Sequence, residues 1–586
     1  MLATILRLLL TGASTYGYMR FMRRKLAPEL TPGFTFASLG SALLLAGLLN
    51  VLPEAALLLG LGGLVCLGLS LRERRKPTFS WGGAFFIAML AVLTARLWGE
   101  KLLFIDNFTH WGTAVRHLLA TNRFPSFQDP CIRFPSYPLG ATAVIYYFAY
   151  LTGIHAEGFQ MLVHWACAAA MLSGLFCLAK NLPAKLACFA GAALLICGDN
   201  NFNQLMVDTH IACMALGAAC FCVFYRGELP KKALWVIPWL TFLIAVKTSG
   251  ALFALFIAAL VFAWGGWKKG LICTVAPLAG LLLWNRHVSY AFEQGMQSQH
   301  ALSVEHFRQM LSLKREGTAG AVTSRLLGQV FSLSNPCLAV LLLSVALFIA
   351  AQLFLKRERP IRGLLIFGAV CYLIYQAGML GMYLFTMQEK EALRLASYDR
   401  YHGTILIFCA GLALMAALLL ADRLKDNRGW ASACCAVCVL ALAVSGMPHY
   451  SHYTRALDAD ALAAKAIRDK TDELIEQYAL PEGSSYYILV DDDFSASDVA
   501  YLYNMANGLL LAKDIQVRKL DKLFSAEEVK KYDYLVGYGD SDAIADFIRE
   551  SYGSTERAVP TAGEEKADTS APSAGSRSRG AKGRRG

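Results

Sequence analysis

Four polar clusters punctuate an otherwise apolar chain, and each carries residues able to move a proton or hold an anion. The first is Asp106, in the stretch Phe104-Ile105-Asp106-Asn107-Phe108-Thr109-His110-Trp111, followed by Arg133 and Tyr137. The second is Asp208 with His210, shortly after Asp199. The third is Lys247, in Lys247-Thr248-Ser249-Gly250, and the fourth is the charge-dense stretch Glu389 to His402, with Arg394, Tyr398, Arg400 and Tyr401. A carboxylate can take a proton from a hydroxyl as a general base. Arg and Lys can hold a phosphate and stabilise the charge that develops as it leaves. In that scheme Asp106 is the base, and Lys247, Arg394 and Arg400 are the cations on hand to hold a phosphate. His110, Trp111, Tyr137, Asp208, His210, Tyr398 and Tyr401 are candidates for auxiliary roles beside them.

These residues are positioned by membrane helices. Of 586 residues, 56% are hydrophobic and 17% charged, with mean hydropathy +0.44; soluble domains carry about 25% charged residues. Charge-poor runs recur from 34–51 to 430–447, most of them long enough for a helix to cross about 30 Å of hydrocarbon. No period-2 alternation points to a barrel. The fold class expected is an all-α polytopic membrane protein of about thirteen transmembrane helices with a small C-terminal α/β domain. The 16 cysteines fall almost wholly inside apolar runs, as small buried hydrophobes. Only Cys131 reads as lying in an exposed loop.

Basic clusters supply orientation. Arg20 to Lys25, Arg72 to Lys76, Lys180/Lys185, Arg226 to Lys232, Lys268/Lys269, Lys356 to Arg362 and Arg423 to Arg428 read as cytoplasmic connections. An even number of spans must then separate each neighbouring pair. Between the second and third clusters lie three apolar pieces, so one does not cross. The short piece 138–153, bounded by Tyr137-Pro138 and Gly153, is the one to demote to an amphipathic helix on the outer leaflet. This puts 99–156 outside as one large loop holding Asp106, together with the other candidate residues and everything after Met447. Whether 1–19 crosses is left open by its Arg7 and small-residue centre.

The domain expectation is 1–80 for N-terminal transmembrane helices, 81–447 for the catalytic module, 448–553 for an extracytoplasmic α/β domain and 554–586 for a disordered basic tail. In the α/β part, strands are expected at 486–490, 514–520 and 534–538, and helices at 458–478, 496–510, 525–531 and 541–551. The Asp491-Asp492-Asp493 triplet reads as solvated turn residues.

The order of motifs resembles the GT-C superfamily of integral-membrane glycosyltransferases, which includes polyprenyl-phosphate mannosyl- and aminoarabinosyltransferases. The matching elements are Asp106 in the first long outer loop, Tyr137-Pro138-Leu139, Asp208 before a helix, Lys247 near Gly250, and Ser397-Tyr398-Asp399-Arg400-Tyr401. The chain is similar to Gram-positive bacterial members in which an acidic pair precedes Phe-Ser-His-Trp. The resemblance implies a polyprenyl-phosphate-sugar donor and membrane lipid as partners, with no nucleic acid; it implies Asp106 as catalytic base, Lys247, Arg394 and Arg400 at the donor phosphate, and Asp208 assisting the acceptor. It also implies an extracytoplasmic glycan, lipid or protein acceptor, and an inverting transfer at the cell envelope. Here the second member of the acidic pair is Asn107. One carboxylate plus an amide is a poor hard-cation site, so a divalent cation at Asp106 and Asp208 is doubtful, and no cofactor is expected. Three other functions compete: a glycan polymerase or ligase using His287, His300, Glu305 and His306, a transporter or flippase of lipid-linked substrates, and a non-catalytic scaffold with a wall-binding α/β domain. The transporter expectation lacks internal repeats.

Overall fold

Without water to satisfy backbone groups, the apolar runs have to form helices. The computed structural model describes residues 2–73, 79–198, 202–292, 304–332, 334–354, 359–424, 427–455, 457–520 and 526–561. Asp199, His300, the basic residues Arg74, Arg75, Lys76, Lys356, Arg357 and Lys425, and residues 562–586 lie outside them, as do the side chains of Glu305, His306 and Arg428. Among the described residues, eight helices are long and apolar enough to span a membrane, and five shorter apolar helices accompany them. The chain is a multi-pass membrane protein.

Burial separates central helices from peripheral ones. Glu157–Cys177 and Tyr398–Arg423 are each 89% buried, whereas Leu52–Arg72, Trp267–Ala291 and Pro336–Phe354 are 22%, 17% and 22% buried. The shorter helix Asp208–Phe224 is buried along nearly its whole length, packed against Tyr398–Arg423 and Glu157–Leu172. The central helices carry small residues (Ala, Gly, Cys) that let backbones approach, while the outer ones present Leu, Ile and Phe outward. The helix Leu2–Met22 packs on Leu52–Arg72, where Tyr18 donates to the Leu59 carbonyl over 2.8 Å.

The helix Gly140–Thr152 departs from expectation. Its 13 residues are too short to cross, as the basic clusters require, but it does not lie on a surface. Ten of those residues are buried, and it packs among Thr31–Leu48, Gly112–Thr121 and Glu157–Leu172. Its two faces are both apolar or small, so it has no polar side to give to a headgroup layer. Cys131 is likewise 2% exposed rather than in an open loop, because the helix Ala496–Leu510 covers it and Asn507 donates to its carbonyl.

The C-terminal region builds a four-stranded sheet in the order β2-β1-β3-β4. β1 (Ser485–Val490) runs parallel to both β2 (Asp514–Lys519) and β3 (Tyr534–Gly537), with Ile488 opposite Val517 on one side and Val536 on the other. β4 (Ala558–Pro560), which the sequence pattern does not announce, pairs antiparallel with β3. All six residues of β1 are buried, as befits a central parallel strand covered on both faces. Asp491 ends it by accepting the backbone N–H groups of Asp540 and Ser541, just before the helix Asp542–Tyr552, a structural use of the triplet's first acid.

Candidate active site

Asp106 leads into a one-turn π-helix, Asn107–Trp111, that continues as the helix Gly112–Thr121. Asn107 is fully buried and fixes this turn. Its Nδ2 donates to the Phe104 carbonyl at 2.9 Å, and its Oδ1 accepts the Leu205 N–H at 2.9 Å. The amide thus ties the Asp106 turn to the segment that enters the helix Asp208–Phe224. A carboxylate could not make the first of these bonds, having no donor at neutral pH.

Asp208 sits in the first turn of its helix, where the macrodipole favours an anion. Lys247 reaches it at 2.8 Å. Lys247 occupies a break between the helices Ile237–Val246 and Gly250–Gly265, in extended conformation (φ −162°, ψ 147°). The break is tight: a Cβ on Gly250 would collide with the Leu243 carbonyl oxygen, so only glycine fits.

Arg400 joins the set from the start of Tyr398–Arg423. One terminal nitrogen lies 2.6 Å from Asp106 Oδ2 and its Nε lies 3.7 Å from Asp208 Oδ2. The other terminal nitrogen donates to the Tyr401 hydroxyl at 3.3 Å. The bend before this helix is unusual, since Leu395 (φ 52°) and Ser397 (φ 57°) both adopt the left-handed region without being glycine. Such residues cost about 1 kcal/mol or more each and cluster at functional sites. Here they turn the chain so that Arg394 faces the same cavity as Arg400.

That cavity has a volume of about 450 Å³. Asp106, Asp208, Lys247 and Arg400 form its charged floor, Arg394 and Tyr401 extend it, and His110, Trp111 and Tyr137 line an aromatic side with Phe134. Nine of the eleven candidate residues therefore meet here. Two do not. His210 is buried beside His164, ring centroids 3.7 Å apart, and hydrogen-bonds to the His164 carbonyl. Tyr398 points away and stacks on His402 at 5.1 Å. His164 itself is a satisfied core histidine, its Nε2 3.0 Å from the Met206 carbonyl. Arg133 lies over the Tyr503 ring, and His287 packs between Phe124 and Trp284, away from the cavity lining. Sequence reasoning missed Thr109, Gln309, Met310, Thr386, Met387 and Gln388, which also line it. Their types carry no signal without the fold. Among the described residues no group of three or more His, Cys, Asp or Glu is placed to hold a metal.

No family model matches the chain, and no curated protein matches it. Among solved structures, ArnT from Cupriavidus metallidurans bound to undecaprenyl phosphate matches at 13% identity, covering 75% of this chain and 89% of that one, with a TM-score of 0.43. A likeness at that level establishes no shared activity.

Proposed function

We propose that this protein is a GT-C-like inverting glycosyltransferase that moves a sugar from a polyprenyl-phosphate donor to an extracytoplasmic acceptor. The observation that carries the reading is the convergence on one cavity of Asp106, Arg400, Asp208 and Lys247, with Arg394 beside them. Lys247 neutralises Asp208, which leaves Arg400 and Arg394 to meet an incoming phosphate. Met310 and Met387 at the cavity, next to the end of the span Arg359–Phe385, give a lipid tail an apolar exit.

In this reaction Asp106 accepts the acceptor's hydroxyl proton as its oxygen attacks the anomeric carbon. The bond from that carbon to the phosphate oxygen breaks, and polyprenyl phosphate leaves with the bonding pair. Direct displacement inverts the anomeric centre. Arg400 turns from Asp106 to the leaving phosphate, so donor binding frees a carboxylate oxygen for the proton.

The test is transfer from a polyprenyl-phosphate sugar by the full chain in membranes. Asp106→Asn is expected to lower turnover by about 10²- to 10⁴-fold, the range for a general base, with donor binding retained. Normal turnover in this variant would remove Asp106 from the chemistry and sink the assignment.

A further inference from the structure

His110 is 1% exposed, lines the cavity, and among the described residues finds no hydrogen-bond partner at either ring nitrogen. A buried imidazole with both nitrogens idle costs free energy unless something else satisfies it. Its neighbours are three aromatic rings. Trp111 and Tyr137 stack with centroids 5.7 Å apart, Phe134 and Tyr137 stack at 5.4 Å, and His110 meets Trp111 and Tyr137 edge-on at 4.7 and 5.2 Å. This side of the cavity is a largely aromatic surface in which the His110 imidazole is set, beside the Tyr137 hydroxyl and the Trp111 indole N–H. The charged floor lies beside it, with Lys247 6.0 Å from the Tyr137 ring centroid.

From this geometry we infer that His110 and the Trp111–Phe134–Tyr137 wall form the subsite for the sugar ring of the donor, and that His110 bonds one of its hydroxyls. The inference rests on the donor reading above and specifies which wall recognises the sugar. A pyranose has an apolar C–H face, which suits flat aromatic rings. Its rim carries hydroxyls that both donate and accept, which suits an imidazole with one N–H and one lone pair. The phosphate sits on Arg400 and Arg394, so the sugar of the same molecule falls within the same 450 Å³ cavity. His110 is thus a specificity-determining residue for an uncharged hydroxyl, while the arginines read the phosphate that every such donor shares.

The experiment compares two probes on the full chain in nanodiscs: polyprenyl monophosphate, and polyprenyl-phosphate-hexose. In His110→Phe, affinity for polyprenyl phosphate is expected to stay within about twofold of wild type. Affinity for the hexose lipid should fall about fivefold to tenfold, the scale of one buried hydrogen bond. His110→Asn, which keeps a donor and an acceptor, should recover part of that loss. Equal loss for both probes in His110→Phe would show a structural role and overturn the subsite. Unchanged affinity for the hexose lipid in His110→Phe would do the same. If wild type binds polyprenyl phosphate but gains nothing from the hexose, this inference falls and the lipid-phosphate reading stands. If wild type binds neither lipid, both fall.

Discussion

Arg468, buried, and Arg400, part-buried, are both guanidinium groups set against carboxylates, and they contrast in how fully they are satisfied. Arg468, 4% exposed on the helix Ala459–Gln477, directs every nitrogen to a protein acceptor. Its Nε meets both oxygens of Asp472 at 3.0 Å, one terminal nitrogen meets the Leu102 carbonyl at 3.1 Å, and both terminal nitrogens reach Glu157, at 3.2 and 3.1 Å. Glu157 in turn accepts the Leu102 N–H at 2.8 Å. Among the described residues Arg400 makes one close ion pair, to Asp106, and its Nε finds no hydrogen-bond acceptor. A fully satisfied network rigidifies what it joins. A network with a spare donor, open to a cavity, can exchange partners. The α/β region therefore clamps the segment leading to Asp106, whereas under the proposed function Arg400 is left to respond to a ligand. Tyr501 donating to the Leu103 carbonyl at 2.6 Å, and Gly508 packed against Phe108 and Thr113, extend the clamp.

The contrast can be broken by removing each arginine in turn. Arg468→Leu leaves Asp472 with Lys101 at 2.8 Å and Glu157 with Arg116 only at 3.7 Å, and losing one partner of a buried ion pair costs up to about 3–5 kcal/mol. The midpoint of thermal unfolding in nanodiscs should fall accordingly. Arg400→Gln leaves Asp106, whose side chain is 35% exposed, to solvent, and Asp208 still paired with Lys247. Its stability should change by less than about 1 kcal/mol, while donor affinity drops about tenfold to a hundredfold through lost charge-assisted bonds to phosphate. If Arg400→Gln unfolds as readily as Arg468→Leu, the two sites are alike and the exchange of partners has no basis.

Asn107 sharpens the same distinction one residue from Asp106. Its amide bridges Phe104 and Leu205, so it belongs with the fixed network rather than the exchangeable one. Asn107→Asp should cost about 1–2 kcal/mol, since the Phe104 carbonyl then faces an acceptor, without creating any divalent-metal dependence of transfer. A metal-stimulated Asn107→Asp enzyme would show instead that the position is a vacant ligand.

Much of this was legible in the sequence for physical reasons that act locally. Hydropathy runs locate helices, since a bilayer leaves the backbone no other solution. Alternating strands and helices at 485–552 were readable because turn residues bound each short apolar run. Asp106, Lys247 and Arg400 stood out because charge beside hydrocarbon is costly and so conspicuous. What was not legible depends on contacts between residues far apart in the chain. The Arg468–Glu157 clamp joins an ordinary mixed-charge helix to the first turn of a span, and neither end looks unusual alone. The burial of Gly140–Thr152 depends on neighbours that cover both of its faces. Asn107 read as a missing acid, because its two backbone partners are invisible until Leu205 is brought beside it. His210 and Tyr398 have the right residue types, but helix rotation points them elsewhere.

The smallest expected effect tests which group in the cavity handles the proton. Burial, and then the nearby Lys247 charge, push the His110 imidazole down to about 3 from its usual 6.5. The folded value lies below the unfolded one. Any stability tied to the neutral imidazole is therefore complete above about pH 6.5 and is lost progressively as pH falls toward 3. Between pH 5 and 8 the folded ring does not change charge. His110→Asn should thus lower the transfer rate through weaker sugar binding yet leave the midpoint of its acid limb where wild type has it. In unfolding experiments the same variant should lose less stability than wild type on going from pH 7 to pH 5. An acid limb displaced in His110→Asn would mean that a protonated imidazole takes part in transfer. Proton handling would then move from the Asp106–Arg400 pair to the aromatic wall, and the division between a charged floor for chemistry and a neutral wall for recognition would collapse.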